Sequence, residues 1–267
     1  MFAIFWRTVR DRKISLIIYS ILGILLLAMY LSFFPAIQEQ AQSLQELMKS
    51  YPESFLKAFG MEDMIFNNLE SYLSTEQFSF MWPLLMILLL VSFSGSAIAR
   101  EIERGTAEIL LALPVSRLKI FFAKYFAGFF NLIVFVLASI PSTILLAKLY
   151  GVEYKSEGYI IMSLLGFMFA LATYSFSMLM SVLFSEKGKV YFASAGLIVI
   201  MYVLNIISSL KDSVSDLKYF SFFYYFNAGD ALVRNHIDHF AYWIFLGVAV
   251  LSTVLAAVWF SRRDIAV

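Results

Sequence analysis

Six stretches of the chain carry no charged side chain and are almost entirely apolar. They cover residues 14–38, 77–99, 125–147, 158–185, 190–210 and 240–261. At about 1.5 Å of rise per residue, even the shortest reaches about 31 Å as a helix, which is enough to cross a hydrocarbon core of about 30 Å. The pattern therefore predicts six membrane-spanning helices, which we call spans one to six.

Amphipathic patterns between the spans predict helices on the membrane surface. Before span one, the apolar residues Phe2, Phe5, Trp6 and Val9 recur at helical spacing, which is typical of a helix in the headgroup region. The first connection, residues 39–76, contains two such stripes. The first consists of Leu44, Leu47, Met48 and Tyr51, and the second, after Gly60, of Ile65, Leu69, Tyr72 and Leu73. The aromatic run 219–226 indicates an interfacial or re-entrant element in the fifth connection.

Composition agrees with a protein built in a membrane. Of the 267 residues 61% are apolar and only 15% are charged, against about 25% charged in soluble domains. The net charge of +1 does not indicate nucleic acid binding, and the lack of cysteine excludes disulfides, thiolate metal sites and a cysteine nucleophile. We expect one all-α transmembrane domain, residues 1–267, without a separate soluble domain.

The distribution of basic residues predicts the orientation. Thirteen of the 20 lysines and arginines lie in the two termini and in the second and fourth connections, whereas 13 of the 19 acidic residues lie in the other three connections. Cytoplasmic flanks of membrane helices are enriched in Lys and Arg. Both termini should therefore be cytoplasmic, and residues 39–76 should form an outer amphipathic helical loop.

The second connection follows local rules for helix ends. Span two can continue as a charged helix through Arg104, with Arg100 and Glu103 forming one i,i+3 pair and Glu101 and Arg104 another. Gly105 is a suitable end for this helix. The chain between this glycine and span three is long enough for one more helix.

That short helix presents an apolar face. Thr106 can cap it, Glu108 lies in its first turn where the helix dipole favours an acid, and Pro114 ends it after about two turns. Ser116 can cap the helix of span three. The apolar face consists of Ile109, Leu110 and Leu113. Such a helix either lies on the membrane surface or docks in the groove of a soluble partner, and composition does not separate the two.

The segment that contains this helix resembles a known family. Its sequence is Glu103-x-Gly105-Thr106-x-Glu108-x-Leu110-Leu111-x-x-Pro114-Val115-Ser116-Arg117, with Lys124 following. This run is similar to the segment after the second span in permease subunits of ABC-2 type ABC transporters. The six spans, the N-terminal amphipathic helix, the long first loop and the short fourth connection agree with that family over nearly the whole chain.

The resemblance implies a function and partners. It implies that residues 105–117 form a coupling helix that contacts the nucleotide-binding ABC ATPase subunit. The implied contact residues are Glu103, Gly105, Thr106, Glu108, Ile109, Leu110, Leu113, Pro114 and Arg117. It also implies a second permease subunit, either a copy of this chain or a related one, and a multi-pass location in a prokaryotic plasma membrane.

The ATPase motor is expected on another polypeptide. The 267 residues contain no Gly-x-x-x-x-Gly-Lys-Ser/Thr phosphate loop, since Gly188-Lys189 is followed by Val190 and lacks the earlier glycine. ATP and magnesium would then bind to the partner, and this chain would be a non-catalytic transport subunit without a cofactor of its own.

Other functions fit less well. An ion-coupled secondary transporter or a channel usually places charged groups within its spans, and the six stretches have none. A membrane enzyme would need a nucleophile with a base, or a metal cluster, at membrane depth. His236 and His239 could bind a metal if they were helical, but such residues more often mark the aqueous end of a span.

The cargo is expected to be amphipathic, and the resemblance to exporters implies that it is exported. The spans offer hydroxyl groups, small residues, two asparagines and many aromatic side chains, whereas an ion path would require a denser polar lining. Amphipathic elements at both membrane faces favour a lipid-like molecule, a peptide or an antibiotic that enters laterally from the bilayer. Export of an ion is the alternative, if backbone groups or a partner permease supply the path.

Overall fold

The chain folds entirely into helices in the computed structural model, which describes residues 1–58, 61, 66 and 68–264. Among these residues, six helices are long and apolar enough to cross a membrane. They are Phe2–Glu39, Leu69–Ala97, Arg117–Tyr150, Ser156–Leu183, Lys187–Leu210 and His239–Arg262. The predicted all-α fold with six spans is confirmed.

Several of these spans and connections consist of more than one helical segment. In chain order the α-helices are α1 (Phe2–Glu39), α2 (Ala41–Met48), α3 (Glu53–Ala58), α4 (Leu69–Leu73), α5 (Trp82–Ala97), α6 (Ala99–Glu103), α7 (Ala107–Leu111), α8 (Arg117–Ser139), α9 (Ser142–Tyr150), α10 (Ser156–Leu183), α11 (Lys187–Leu210), α12 (Phe222–Tyr225), α13 (Ala228–Leu232) and α14 (His239–Arg262). A π-helical segment, Ser74–Met81, joins α4 to α5, and a 3₁₀ segment, Asp212–Phe220, follows α11. Pro141 separates α8 from α9 because proline lacks the N–H that would continue the helix.

Span four forms the centre of the bundle. Helix α10 packs against α5, α8, α11 and α14. Hydroxyl groups reinforce these contacts: the buried Tyr174 of α10 donates to the Tyr125 carbonyl of α8 at 2.8 Å, and the half-buried Thr253 of α14 donates to the Tyr125 hydroxyl at 3.0 Å. No hydrophobic driving force acts between helices within a bilayer, so close packing and hydrogen bonds between spans contribute to their association. Helices α1 and α11 lie at the edge, with few of their residues buried.

The N-terminal segment is continuous with span one. Its residues belong to α1, where Phe5 packs edge-on against Phe130 at 6.2 Å while Phe2 remains 73% exposed and Trp6 46% exposed. The side chains of the predicted stripe therefore have different environments. The location of this segment in the headgroup region stays a prediction.

The first connection differs from its prediction in its second half. Helix α2 has no buried residue, which suits a surface helix. The stripe after Gly60 was expected on the surface too, but Leu69, Tyr72 and Leu73 belong to α4, whose five residues are all buried. This helix extends span two into the protein and contacts α1 and α13. Gly60 and Ile65 lie outside the described residues.

The fifth connection folds back into the bundle. Phe226 lies between two rings of the core, with its centroid 6.0 Å from Trp82 and 4.6 Å from Phe169. Helix α13 packs on α10, and the Leu232 carbonyl oxygen lies 2.2 Å from the point where a Cβ on Gly158 would stand. Only glycine allows this approach. The position of this connection relative to the membrane, interfacial or re-entrant, stays a prediction.

Candidate functional site

The second connection forms a helical hairpin, residues 99–117, which we call the 99–117 hairpin. Helix α6 ends at Glu103, and Gly105 has a φ of +69°, the left-handed conformation that glycine adopts without strain. Helix α7 follows, and Ser116 caps α8 by accepting the Lys119 N–H at 3.4 Å. The helix end at Gly105 and the cap at Ser116 are therefore as predicted.

Two local features of α7 differ from expectation. It is only five residues long, slightly more than one turn instead of two. Thr106 stands before it but does not cap it. Its hydroxyl instead donates back to Glu101, at 3.2 Å to the carbonyl and 2.5 Å to Oε2 of the carboxylate. Thr106 therefore closes the turn between α6 and α7.

The face that α7 presents outward is not the one predicted. Ile109 is 71% exposed and Leu113 is 43% exposed, and Glu108 and Pro114 are exposed beside them. Leu110 was expected on the same face, but it is half-buried and packs against the core of the bundle. In a short helix, residue 110 points about 100° away from residue 109, so Leu110 anchors α7 while Ile109 faces outward.

Two of the predicted site residues connect the 99–117 hairpin to other parts of the chain. The Glu103 carboxylate accepts the Lys187 N–H at 3.1 Å, at the first turn of α11. The Arg117 guanidinium donates to the Arg263 carbonyl, and Arg263 in turn donates to the Val182 carbonyl at the end of α10. The hairpin is thus attached to the fourth connection and to the C-terminal segment.

The helix axis breaks where span two enters the hairpin. Ile98 has φ −126° and ψ −53°. Backbone N–H and carbonyl groups near this break form hydrogen bonds with side chains of other spans. The Ser181 hydroxyl of α10 accepts the N–H groups of Ile98 at 3.3 Å and Ala99 at 3.2 Å. The Lys124 ammonium of α8 donates to the Ala97 carbonyl at 2.5 Å. Side chains of two other spans therefore stabilise a helix break between span two and the hairpin, which we call the hinge.

Lys124 also forms a mostly buried ion pair with the hairpin. Its Nζ lies 3.0 Å from Glu101 Oε1, and only 5% of the Lys124 side chain is exposed. Burial alone would raise the pKa of Glu101, but the charge of Lys124 and the hydrogen bond from Thr106 outweigh it and lower that pKa below its ordinary value. Span three, α6 and the turn before α7 are thereby joined in one network.

Sequence reasoning missed this ion pair. The i,i+3 rule pairs Glu101 with Arg104, but the structure pairs Glu101 with Lys124, which is 23 positions away. The available indication was the position of Lys124 directly before the charge-free stretch 125–147, a place where a lysine is partly withdrawn from water.

The alternative metal site lacks the required geometry. His236 lies in an irregular segment and His239 begins α14, so the two imidazoles are not on one helix turn. In the described part of the chain, no group of three His, Asp or Glu side chains is arranged to hold a metal ion.

Comparison with known families decides the class of the protein. The model of the ABC-2 family transporter proteins matches residues 2–265. The chain belongs to the ABC-2 transporter family. A search of curated proteins found no match.

Membership of the ABC-2 family fixes the general role. Its members are multi-pass membrane permeases of ABC transporters, which are transport subunits and associate with an ABC ATPase subunit. Six spanning helices fit such a permease. The similarity noted for the segment 103–117 is therefore part of a relation that covers nearly the whole chain.

Proposed function

We propose that this chain is the transmembrane subunit of an ATP-driven exporter and that α7 docks on a separate ATPase subunit, which binds ATP and magnesium. The observation that carries the proposal is the orientation of α7. Its outward side exposes Ile109, and Leu113 is exposed two residues after the end of the helix. Its inner side is attached through Thr106 and Glu101 to the hinge at Ile98. An apolar face with a rigid attachment suits a contact that transmits motion.

The proposed contact residues then divide into two groups. Glu108, Ile109, Leu113 and Pro114 are exposed and can touch the ATPase. The others hold the hairpin in place and transmit its movement to the spans: Glu103, Gly105, Thr106, Leu110 and Arg117.

The orientation supports the same assignment. All four segments that are rich in Lys and Arg meet at one end of the bundle. Arg12 of the N-terminal segment and Arg100 line one cleft, Glu103 binds the fourth connection, and Arg117 binds the C-terminal segment. We assign this end to the cytoplasm of a prokaryotic cell, where the ATPase is available. A second permease subunit, a copy or a relative, would complete the transporter.

Docking can be tested at Ile109. The change Ile109→Asp would bury a charge without a counterion in the ATPase contact, which costs several kcal/mol, so about 100-fold less ATPase should copurify. Ile109→Val keeps the contact apolar and should copurify normally. Normal assembly and normal ATP hydrolysis with Ile109→Asp would refute the docking of α7.

The cargo is proposed to be amphipathic. The six charge-free stretches offer no charged group to an ion at membrane depth, and a mostly apolar path suits a lipid-like molecule, a peptide or an antibiotic. We expect such amphiphiles to stimulate ATP hydrolysis by the reconstituted complex. Stimulation by sodium or another simple ion, with no response to any amphiphile, would favour ion export instead.

A further inference from the structure

A basic cleft of about 450 Å³ opens between α1, the 99–117 hairpin and α8. Five cationic side chains line it, against two carboxylates. The cations are Arg7, Arg12, Arg100, Arg104 and Lys124, and the carboxylates are Asp11 and Glu101. The cleft therefore has a strong excess of positive charge in a protein whose net charge is only +1.

Both carboxylates already have partners. Glu101 binds Lys124 at 3.0 Å, and Asp11 lies 3.9 Å from Arg7. Across the part of the chain that the structure describes, the three remaining arginines, Arg12, Arg100 and Arg104, make no ion pair.

These arginines favour an anionic occupant. Arg12 is half-buried, lines the cleft together with Arg100 and donates a long hydrogen bond, 3.5 Å, to the Ser92 carbonyl. Five cations against two carboxylates leave an excess of positive charge, which an anion with several oxygen atoms would offset. Guanidinium groups match phosphate in particular because their N–H groups donate in parallel.

The position of the cleft along the spans indicates that a lipid headgroup could supply the phosphate. Arg12 stands two positions before the charge-free stretch of span one, Arg100 directly follows that of span two, and Lys124 directly precedes that of span three. Cations at the ends of three spans lie at the level of the lipid headgroups. Phe93 and Ala97 of α5 also line the cleft, and both are buried in the bundle.

We infer that this cleft binds the phosphate headgroup of an anionic phospholipid. Basic pockets between membrane helices on the cytoplasmic side are suited to such headgroups. The lipid would bridge α1 to the hairpin that carries α7, and so connect the bilayer to the moving part of the permease. With the proposed orientation, this lipid belongs to the cytoplasmic leaflet. Its binding depends on neither the cargo nor the ATPase.

The test measures lipid binding by the purified permease alone. Native mass spectrometry in detergent would compare phosphatidylglycerol with phosphatidylcholine, and inorganic phosphate would be added as a competitor. We expect phosphatidylglycerol to bind preferentially, and Arg12→Gln and Arg100→Gln to weaken it about tenfold each, as expected for the loss of one charge-assisted contact. Arg104→Gln changes an exposed side chain, leaves the packing intact and should weaken binding in the same direction.

Lys13→Gln is the matched control. Lys13 is exposed on the same helix, directly beside Arg12, but does not line the cleft. Its replacement should leave phosphatidylglycerol binding unchanged. Equal binding of the two lipids, an equal loss with Lys13→Gln, or inorganic phosphate binding as tightly as the lipid would each overturn the inference.

Discussion

Ser181 connects span four to the hinge between span two and the 99–117 hairpin. Its hydroxyl oxygen accepts two backbone N–H groups that the break at Ile98 leaves without a helical partner. The side chain is fully buried, so water cannot replace it. A single hydroxyl group therefore stabilises the bent form of the chain at this point.

Ser181→Ala should destabilise the protein. Two buried N–H groups would lose their acceptor, at a cost of about 1–3 kcal/mol in the free energy of unfolding. Ser177→Ala is the control, since Ser177 is equally buried on the same helix but donates only to the Thr173 carbonyl of that helix. Thermal unfolding in detergent measures both variants. Equal losses for the two would contradict the role given to Ser181.

At the level of single residues, the sequence predicts what depends on local chemistry. Gly105 and Ser116 were placed correctly because a left-handed turn and a helix cap each involve only a few neighbouring residues. The pairing of Glu101 with Lys124 and the inward position of Leu110 depend on how α6, α7 and α8 pack. Sequence rules that relate neighbouring residues do not predict how three helices pack.

At the level of elements, helix α4 shows why an amphipathic pattern is ambiguous. An apolar stripe can face either a membrane surface or the protein interior, and the predicted surface helix is in fact buried. Its acidic residue Glu70 is buried, and its carboxylate accepts the N–H of the exposed Lys155 at 2.6 Å. This partner comes from the third connection, so the pattern of the first connection could not predict it.

The contact between α10 and α13 provides a test at this scale. Gly158→Ala would place a Cβ against the Leu232 carbonyl and push α13 outward, at a cost of about 1–3 kcal/mol in the free energy of unfolding. Gly247→Ala is the control, because nothing lies within 4 Å of its Cβ position. That change should be neutral or stabilise α14 by about 0.5–1 kcal/mol. Thermal unfolding that is unaffected by Gly158→Ala would show that α13 does not pack this closely.

At the level of the whole molecule, the number of spans was predictable, because each charge-free stretch is long enough as a helix to cross the hydrocarbon core. The central position of α10 was not, because apolar spans look alike in sequence whether they face lipid or protein. The similarity of the segment 103–117 to ABC-2 permeases agrees with the family match over residues 2–265. The contact of α7 with an ATPase remains the central claim.

Site-specific crosslinking tests that claim most directly. Because the chain has no cysteine, a single cysteine at position 109 can carry a short photocrosslinker, and a second variant with the cysteine at position 157 provides an exposed control at the opposite end. The account predicts a covalent adduct with the ATPase subunit from position 109 and none from position 157. An adduct from position 157, or none from position 109 in a complex that hydrolyses ATP, would contradict it.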